Sequence, residues 1–336
     1  MYHRTDPAKR RPRVGRRLTA VLATMTAMLL VTTALAPLER AVAAASTASP
    51  RMVGVTLPGA PTDLTALNAL TVELGRKPTT VMWYQQWAGQ PSFPTQGVRQ
   101  VAAWGATPEI TWEPWDPSAG INQPSYSLAR ISSGAFDSYL NQWAKAARQW
   151  GYPLRLRFAH EMNGTWYPWA ESVNGNAPGS YVKAWNHLRE VFAKQGATNV
   201  SWIWSPNVSY AGSTPLSELF PGAANVDEVA LDGYNWSTLQ SWSTWTSFAD
   251  VFNSSLGELR QLSSLPISIG EVGTPEIGGD KAQWITDMWS TLAAAPDIRG
   301  LVWFDFNKEA DWRIDSSSAS ASAFSTGMTP YLNGPA

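Results

Sequence analysis

Short runs rich in apolar, β-branched and aromatic residues recur eight times after Pro50 and are separated by longer stretches of helical periodicity. The runs cover residues 52–57, 79–84, 107–112, 154–160, 199–204, 227–234, 266–272 and 299–306. Several are continuously apolar, the pattern of parallel strands buried on both faces. Between them, the segment Phe136 to Trp150 sets Phe136, Leu140, Trp143 and Ala147 on one stripe. The segment Ser180 to Lys194 repeats the pattern with Tyr181, Trp185, Leu188 and Phe192, and Pro178 and Gly179 precede it as a start signal. Further helices are predicted over 61–75, 95–104, 247–262 and 279–294, while the Ser/Ala-rich stretch 316–323 reads as low-complexity sequence. Eight strand–helix units predict a single (β/α)8 TIM barrel of the α/β class. A doubly wound open sheet is the alternative, but no Gly-rich phosphate loop follows the first run.

The N-terminus has a different pattern. Arg4, Lys9, Arg10, Arg11, Arg13, Arg16 and Arg17 precede an uncharged apolar run from Leu18 to Ala36, and small residues follow from Ala41 to Pro50. This is the layout of an export signal, so residues 1–45 are expected to be a cleaved signal peptide and 46–336 the catalytic domain. An uncleaved membrane anchor is the alternative, since the 19-residue apolar run could just span a bilayer. Arg16-Arg17 leaves the export route open between the general and the twin-arginine pathway. A secreted, extracellular protein with no membrane contact after cleavage is expected.

Composition then narrows the chemistry. The 336-residue chain has no cysteine, which excludes a disulfide framework, a thiolate nucleophile and cysteine-ligated zinc. Its three histidines argue against an all-histidine metal centre. The net charge of −1 conceals an asymmetry, because residues 1–45 carry eight basic and two acidic groups and the remainder is near −7. Such an acidic body does not suit nucleic acid. The 19 tryptophans, all between Trp83 and Trp312, exceed what a core of this size needs.

In a barrel of this kind, chemistry gathers at the C-terminal ends of the strands. Those ends hold Glu113 and Asp116, His160 and Glu161, Asp232 and Tyr234, Glu271, and Asp305 and Asn307. Carboxylates flanked by tryptophans dominate. Two opposed carboxyl groups suit attack at an acetal carbon, as in glycoside hydrolysis, and indole faces stack on sugar rings. Glu161 and Glu271 end the fourth and seventh runs, three apart in the ring, and can converge on the barrel axis. Glu113 and Asp116 are weaker candidates in a loop that shapes a groove. His160 suits an orienting role, and His187 a packing role in a helix. Strand alternation puts Arg157 and Glu161 on the same side, where the arginine would favour an ionised carboxylate nearby.

The segments RFAHEMNGTWYPW (157–169), LDGYNW (231–236), SIGEVGTPE (268–276) and WFDFNKEADWRID (303–315) carry a family resemblance. The chain resembles glycoside hydrolase family 26 from about Val53 to Asp315. The HEMNGxWYPW run is the specific part. The resemblance implies Glu161 as acid/base, Glu271 as nucleophile, and Tyr234 as a hydrogen-bond partner of the nucleophile. It further implies that His160 and Trp166 form the subsite of the reacting sugar and that Trp303 is an aromatic platform. Asn163 belongs to the same run, and Trp115, Trp169 and Trp236 complete the expected sugar-binding set. A retaining double displacement, with carboxyl groups about 5–5.5 Å apart, is then expected. No metal and no organic cofactor are implied.

The expected substrate is a plant-type β-linked polysaccharide cleaved internally by a monomer. Endo-1,4-β-mannanase stands first on family frequency, β-1,3-1,4-glucanase nearly level on the TWYPW and WFDFNKEADWR departures, and β-1,3-xylanase behind both. A non-catalytic polysaccharide-binding protein is the alternative of another class. Binding alone has no need of two opposed carboxyls.

Overall fold

The computed structural model describes residues 50–334, so the expected signal segment lies outside the described residues. Eight parallel strands, Met52–Thr56 (β1), Thr80–Gln86 (β2), Thr107–Glu113 (β3), Leu154–Phe158 (β4), Val200–Trp204 (β5), Glu228–Tyr234 (β6), Ile267–Gly273 (β7) and Ile298–Phe304 (β8), pair in chain order. β8 returns to β1 and closes the barrel. Helices cover the outside: Thr65–Leu74 (α1), Thr95–Trp104 (α2), Leu128–Ser132 (α3), Asp137–Trp150 (α4), Ser180–Gln195 (α5), Leu216–Leu219 (α6), Phe248–Leu262 (α7), Lys281–Ala294 (α8) and Ser318–Leu332 (α9). The fold is the (β/α)8 barrel expected from the sequence.

Helix starts follow side-chain chemistry. Ser247, Asp280 and Ser317 each accept a hydrogen bond from a backbone N–H in the first turn of α7, α8 and α9. The Ser/Ala-rich stretch, read from the sequence only as low-complexity, opens α9. Ser320, Phe324, Met328 and Tyr331 recur three or four residues apart and are all buried, and α9 packs along α8. Small residues in the first two turns hid that stripe. Between β5 and β6 lie only the four-residue α6 and a three-residue 3-10 turn at Ala223–Asn225, which is why no helix was visible there in the sequence.

Alternation along β4 determines what fills the barrel. Phe158 turns outward to meet Trp185 of α5, whereas Arg155 and Arg157 turn inward. Barrels of this class are normally filled by layers of branched apolar side chains. Here two of the layers are ionic. In the lower one, Arg155 donates from Nε to Glu109 (2.7 Å) and as a fork from Nη1 and Nη2 to both oxygens of Glu228 (2.7 and 2.8 Å). Burial pushes Glu228 up, but the Arg155 charge and its hydrogen bonds outweigh this and hold the carboxyl below its ordinary range.

Removing Arg155 would strand two carboxylates, one of them only 1% exposed. Arg155→Met is expected to lower unfolding stability by about 3–5 kcal/mol in urea titration. A change under about 1 kcal/mol would mean that the lower layer does not hold the barrel together.

Candidate active site

β4 ends at Phe158, and the chain then turns through two non-glycine residues in the left-handed region, Ala159 (φ 47°) and Glu161 (φ 52°). Each such residue costs on the order of 1–3 kcal/mol and persists only where neighbours impose it. The neighbours are identifiable. Ala159 N–H donates to the Trp112 carbonyl (3.0 Å), Glu161 N–H to the Ser205 carbonyl (2.7 Å), and the Trp169 indole to the His160 carbonyl (2.6 Å). The alternation that links Arg157 to Glu161 in the sequence is therefore broken by the kinks, which themselves turn the Glu161 side chain into the cleft.

Glu271 lies on β7 beside a register shift against β6 and β8. Arg157, fully buried, donates to it from Nη2, to Asp232 from Nη1 (2.8 Å), and to Thr111 from Nε (3.0 Å). Gly270 makes this possible: a Cβ there would sit 2.5 Å from Asp232 Oδ1 and 2.9 Å from Arg157 Nη1. The Tyr234 hydroxyl donates to the other Glu271 oxygen at 2.5 Å. A guanidinium and a phenol thus stabilise the charged carboxylate from two directions.

Glu161 faces the opposite situation. Burial, reinforced by the nearby Glu271 charge, pushes its carboxyl up to about 8, although the indole of Trp166 donates to Oε2 at 2.7 Å. One carboxyl has a cation beside it and the other does not. Such a split is how a site obtains a nucleophile and an acid from the same residue type. Glu113, the weaker candidate in the sequence, is raised to about 7 by burial, and the Trp115 indole donates to it at 3.2 Å. His160 is buried with its ring near Tyr167 and Tyr84 (centroids 4.8 and 6.0 Å). Burial and the Arg157 charge push it well below its ordinary range, so it is a neutral imidazole, 3.9 Å from Glu271 Oε1 and 4.0 Å from Glu113 Oε1.

Above these groups opens a cleft of about 1020 Å³. Glu161, Glu271, Tyr234, Trp115, Trp166 and Trp236 all line it. Four expected members do not, and the first is His160, whose buried ring lies outside the lining. Asn163 is buried and exchanges hydrogen bonds with the Asn207 backbone (2.8 and 2.9 Å), tying the β4 loop to the β5 loop. Trp169 is fully buried under Tyr167, stacked at 4.3 Å, and anchors the kinked backbone. Trp303 points outward from β8 against Trp284 and Phe324, with its indole on the Trp312 carbonyl (2.7 Å). Trp312 is what reaches the cleft. Tyr84, Tyr167, Tyr210, Trp242 and Phe306 also line it and were not singled out in the sequence. Tyr167 could have been found there, being inside the HEMNGTWYPW run. As the sequence suggested, His187 is structural, with Nε2 2.6 Å from Asp137 Oδ1.

His160, Asp232 and Glu271 approach one another closely enough for a metal, their ligand atoms lying within 4.8 Å. The Arg157 guanidinium already bridges the two carboxylates. That cation takes the place a metal would need.

A closed (β/α)8 barrel with two environment-split glutamates at the ends of β4 and β7, under an aromatic cleft, has the arrangement of a glycoside hydrolase. Residues 90–275 match the family model of glycosyl hydrolase family 26, and the chain belongs to that family. It is 36% identical over 255 residues to endoglucanase H of Acetivibrio thermocellus, covering 74% of this chain and 27% of that protein. It is 30% identical over 182 residues to mannan endo-1,4-beta-mannosidase A and B of Caldalkalibacillus mannanilyticus, covering 48% of this chain and 33% of the relative. The chain thus spans about a quarter to a third of the length of these relatives. Among solved structures, the fold resembles a modular endo-β-1,4-mannanase from Cellulomonas fimi (TM-score 0.63, 18% identity, 85% of this chain and 71% of that one). The catalytic domain of the Bacillus sp. JAMB-750 endo-β-1,4-mannanase is equally similar (TM-score 0.63, 16% identity, 85% and 88%).

The raised carboxyls are directly observable. Infrared spectra should show a protonated-carboxyl band at pH 6 that weakens as pH rises through about 7, the expected range of Glu113 and Asp305, and about 8, that of Glu161, with Asp232 able to contribute a component that persists to higher pH. Glu161→Gln should remove the component near pH 8 alone. A band already absent at pH 6 would refute the assignment.

Proposed function

We propose that the protein is a retaining endo-β-glycosidase acting on a plant-type β-linked polysaccharide. The observation that carries this is the pairing of a neutral Glu161, raised to about 8, with a Glu271 in contact with Arg157 and Tyr234. Glu271 attacks the anomeric carbon while Glu161 gives its proton to the leaving glycosidic oxygen. The glycosyl–enzyme ester that results is attacked by a water, which Glu161, now ionised, deprotonates. The sugar leaves with its original anomeric configuration, and Glu161 is protonated again. The aromatic walls, from Trp115 beside β3 to Trp242 beyond β6, suit a chain that continues past the cleavage point in both directions. A pure binding protein has no use for this protonation split.

β-Glucan with mixed 1,3 and 1,4 linkages is the first substrate in this proposal and mannan the second. The endoglucanase relative aligns over more of this chain, and at higher identity, than the mannan-cleaving relative, which reverses the order suggested by family frequency. We also propose that the catalytic domain works as a monomer outside the cell after loss of residues 1–45. N-terminal sequencing of protein from the culture medium tests that. Among the described residues, no helix is long and apolar enough to cross a membrane.

Glu161→Ala and Glu271→Ala should each reduce polysaccharide hydrolysis at least about 10³-fold while circular dichroism shows the barrel still folded. Because Glu161 must carry its proton, kcat/KM should decline on the alkaline side with a midpoint near pH 8. Proton NMR should show the β-anomer formed first; an α-anomer would rule out retention. Lichenan and galactomannan digests, sized at early times, should yield long oligosaccharides, with lichenan cleaved faster. Exclusive release of monomer or dimer would contradict endo action.

A further inference from the structure

The side chain of Glu161 has one hydrogen-bond partner among the described residues, the indole of Trp166, and it is bound on one oxygen only. An indole N–H can donate but never accept. The carbonyl-type oxygen of a neutral carboxyl is the better acceptor, so while that bond stands the proton of the neutral acid is favoured on Oε1. The opposite oxygen would otherwise share it. The indole is itself held by its neighbours. Its ring stacks on Tyr210, with centroids 5.9 Å apart at 27°. It also lies across Gly164, where a Cβ would come within 2.5 Å of the indole Cη2. Gly164 is not among the glycines with positive φ, so its backbone would accept an alanine and only the ring would resist. The turn is closed by the Gly164 N–H donating to the Glu161 carbonyl at 3.0 Å.

We infer that Trp166 is a positioning residue for the acid, its indole N–H fixing which oxygen of Glu161 carries the transferable proton, and that the bare Cα of Gly164 keeps the indole in place. This rests on the assignment of Glu161 as the acid. It adds to the expected role of Trp166 as a sugar-stacking surface, and the two roles separate experimentally. Stacking depends on the ring face, which phenylalanine largely keeps. Proton placement depends on the N–H, which phenylalanine lacks.

The pH dependence has a definite sign. A donor to the carboxylate favours its ionised form, so losing that donor raises Glu161 further and moves the alkaline limb of activity to higher pH. The other groups facing Glu161 stay in place: Glu271 on β7 and Glu113 on β3, which raise it, and Arg157 on β4, which lowers it. Asp232, the neutral His160 and the phenols of Tyr167, Tyr210 and Tyr234 complete its surroundings.

The test compares kcat/KM for phenyl and 2,4-dinitrophenyl β-cellobiosides, or β-mannobiosides if galactomannan proves the better polymer. Phenol needs a proton to leave and dinitrophenol does not, while both place an aryl ring at the same position. In Trp166→Phe the phenyl-to-dinitrophenyl ratio should fall about tenfold and the alkaline limb for the phenyl substrate should rise by about one pH unit. Gly164→Ala, which displaces the ring without deleting it, should move both readouts in the same direction. A ratio and a limb unchanged in Trp166→Phe would overturn the inference and leave Trp166 a stacking surface. Glu161→Ala, measured alongside, tests the premise. Loss on the phenyl substrate with retention on the dinitrophenyl one upholds the acid assignment, whereas full activity on both removes the acid and this inference with it.

Discussion

The site depends on one buried cation. Arg157 is placed inside the barrel by the alternation of β4, and its guanidinium bridges Asp232 on β6 and Glu271 on β7 while bonding Thr111 on β3. It thereby links four strands that lie on different sides of the ring. Ionic groups in such surroundings are costly to desolvate and are tolerated only when paired and fully hydrogen-bonded. The arrangement therefore forces compensations around it. Gly270 has no side chain to intrude, Ser205 adds a hydroxyl to the Asp232 carboxylate at 2.9 Å, and Tyr234 completes Glu271 from above.

With Glu271 supplied with a cation, the same field acts in reverse on its neighbours. Glu161 and Glu113 lie in low-dielectric surroundings and feel the Glu271 charge, and both are pushed up toward neutrality. His160, between two carboxyls yet close to Arg157, is driven to the neutral form. Burial, with the Glu271 charge added for the two glutamates and the Arg157 charge for the imidazole, thus yields neutral carboxyls and a neutral imidazole around Glu271. The chemistry proposed for the cleft follows from that pattern and does not require three separately tuned residues.

Much of this is legible in the sequence, for physical reasons that also mark its limits. Buried parallel strands are largely apolar runs, so all eight were visible, and the glutamates at the ends of two of them stand out beside aromatic residues and the HEMNG run. Tryptophan positions were not legible in the same way. Trp303 lies as close to a strand end as Trp236 does, yet strand parity turns it outward, and Trp169, in the loop after β4, is drawn beneath that loop by the kinks at Ala159 and Glu161. Left-handed backbone at an alanine or a glutamate has no sequence signature, because contacts with Trp112 and Ser205 impose it. α9 was missed because serine and alanine conceal its stripe until Phe324. Several tryptophans that suggest sugar binding by number alone are structural anchors, and the cleft draws on tyrosines and on Trp312 instead.

In the proposed mechanism Glu271 forms a covalent bond to the sugar while Glu161 serves as its acid. The most direct test is incubation with a 2,4-dinitrophenyl 2-deoxy-2-fluoro-β-cellobioside, or its mannobioside counterpart, followed by peptide mass mapping of the inactivated protein. The fluorine slows both steps and the reactive leaving group restores the first, so an intermediate accumulates. A single glycosyl label on Glu271 is the predicted result. A label on Glu161 or Glu113, or turnover with no labelled protein at any time, would rule out Glu271 as the nucleophile.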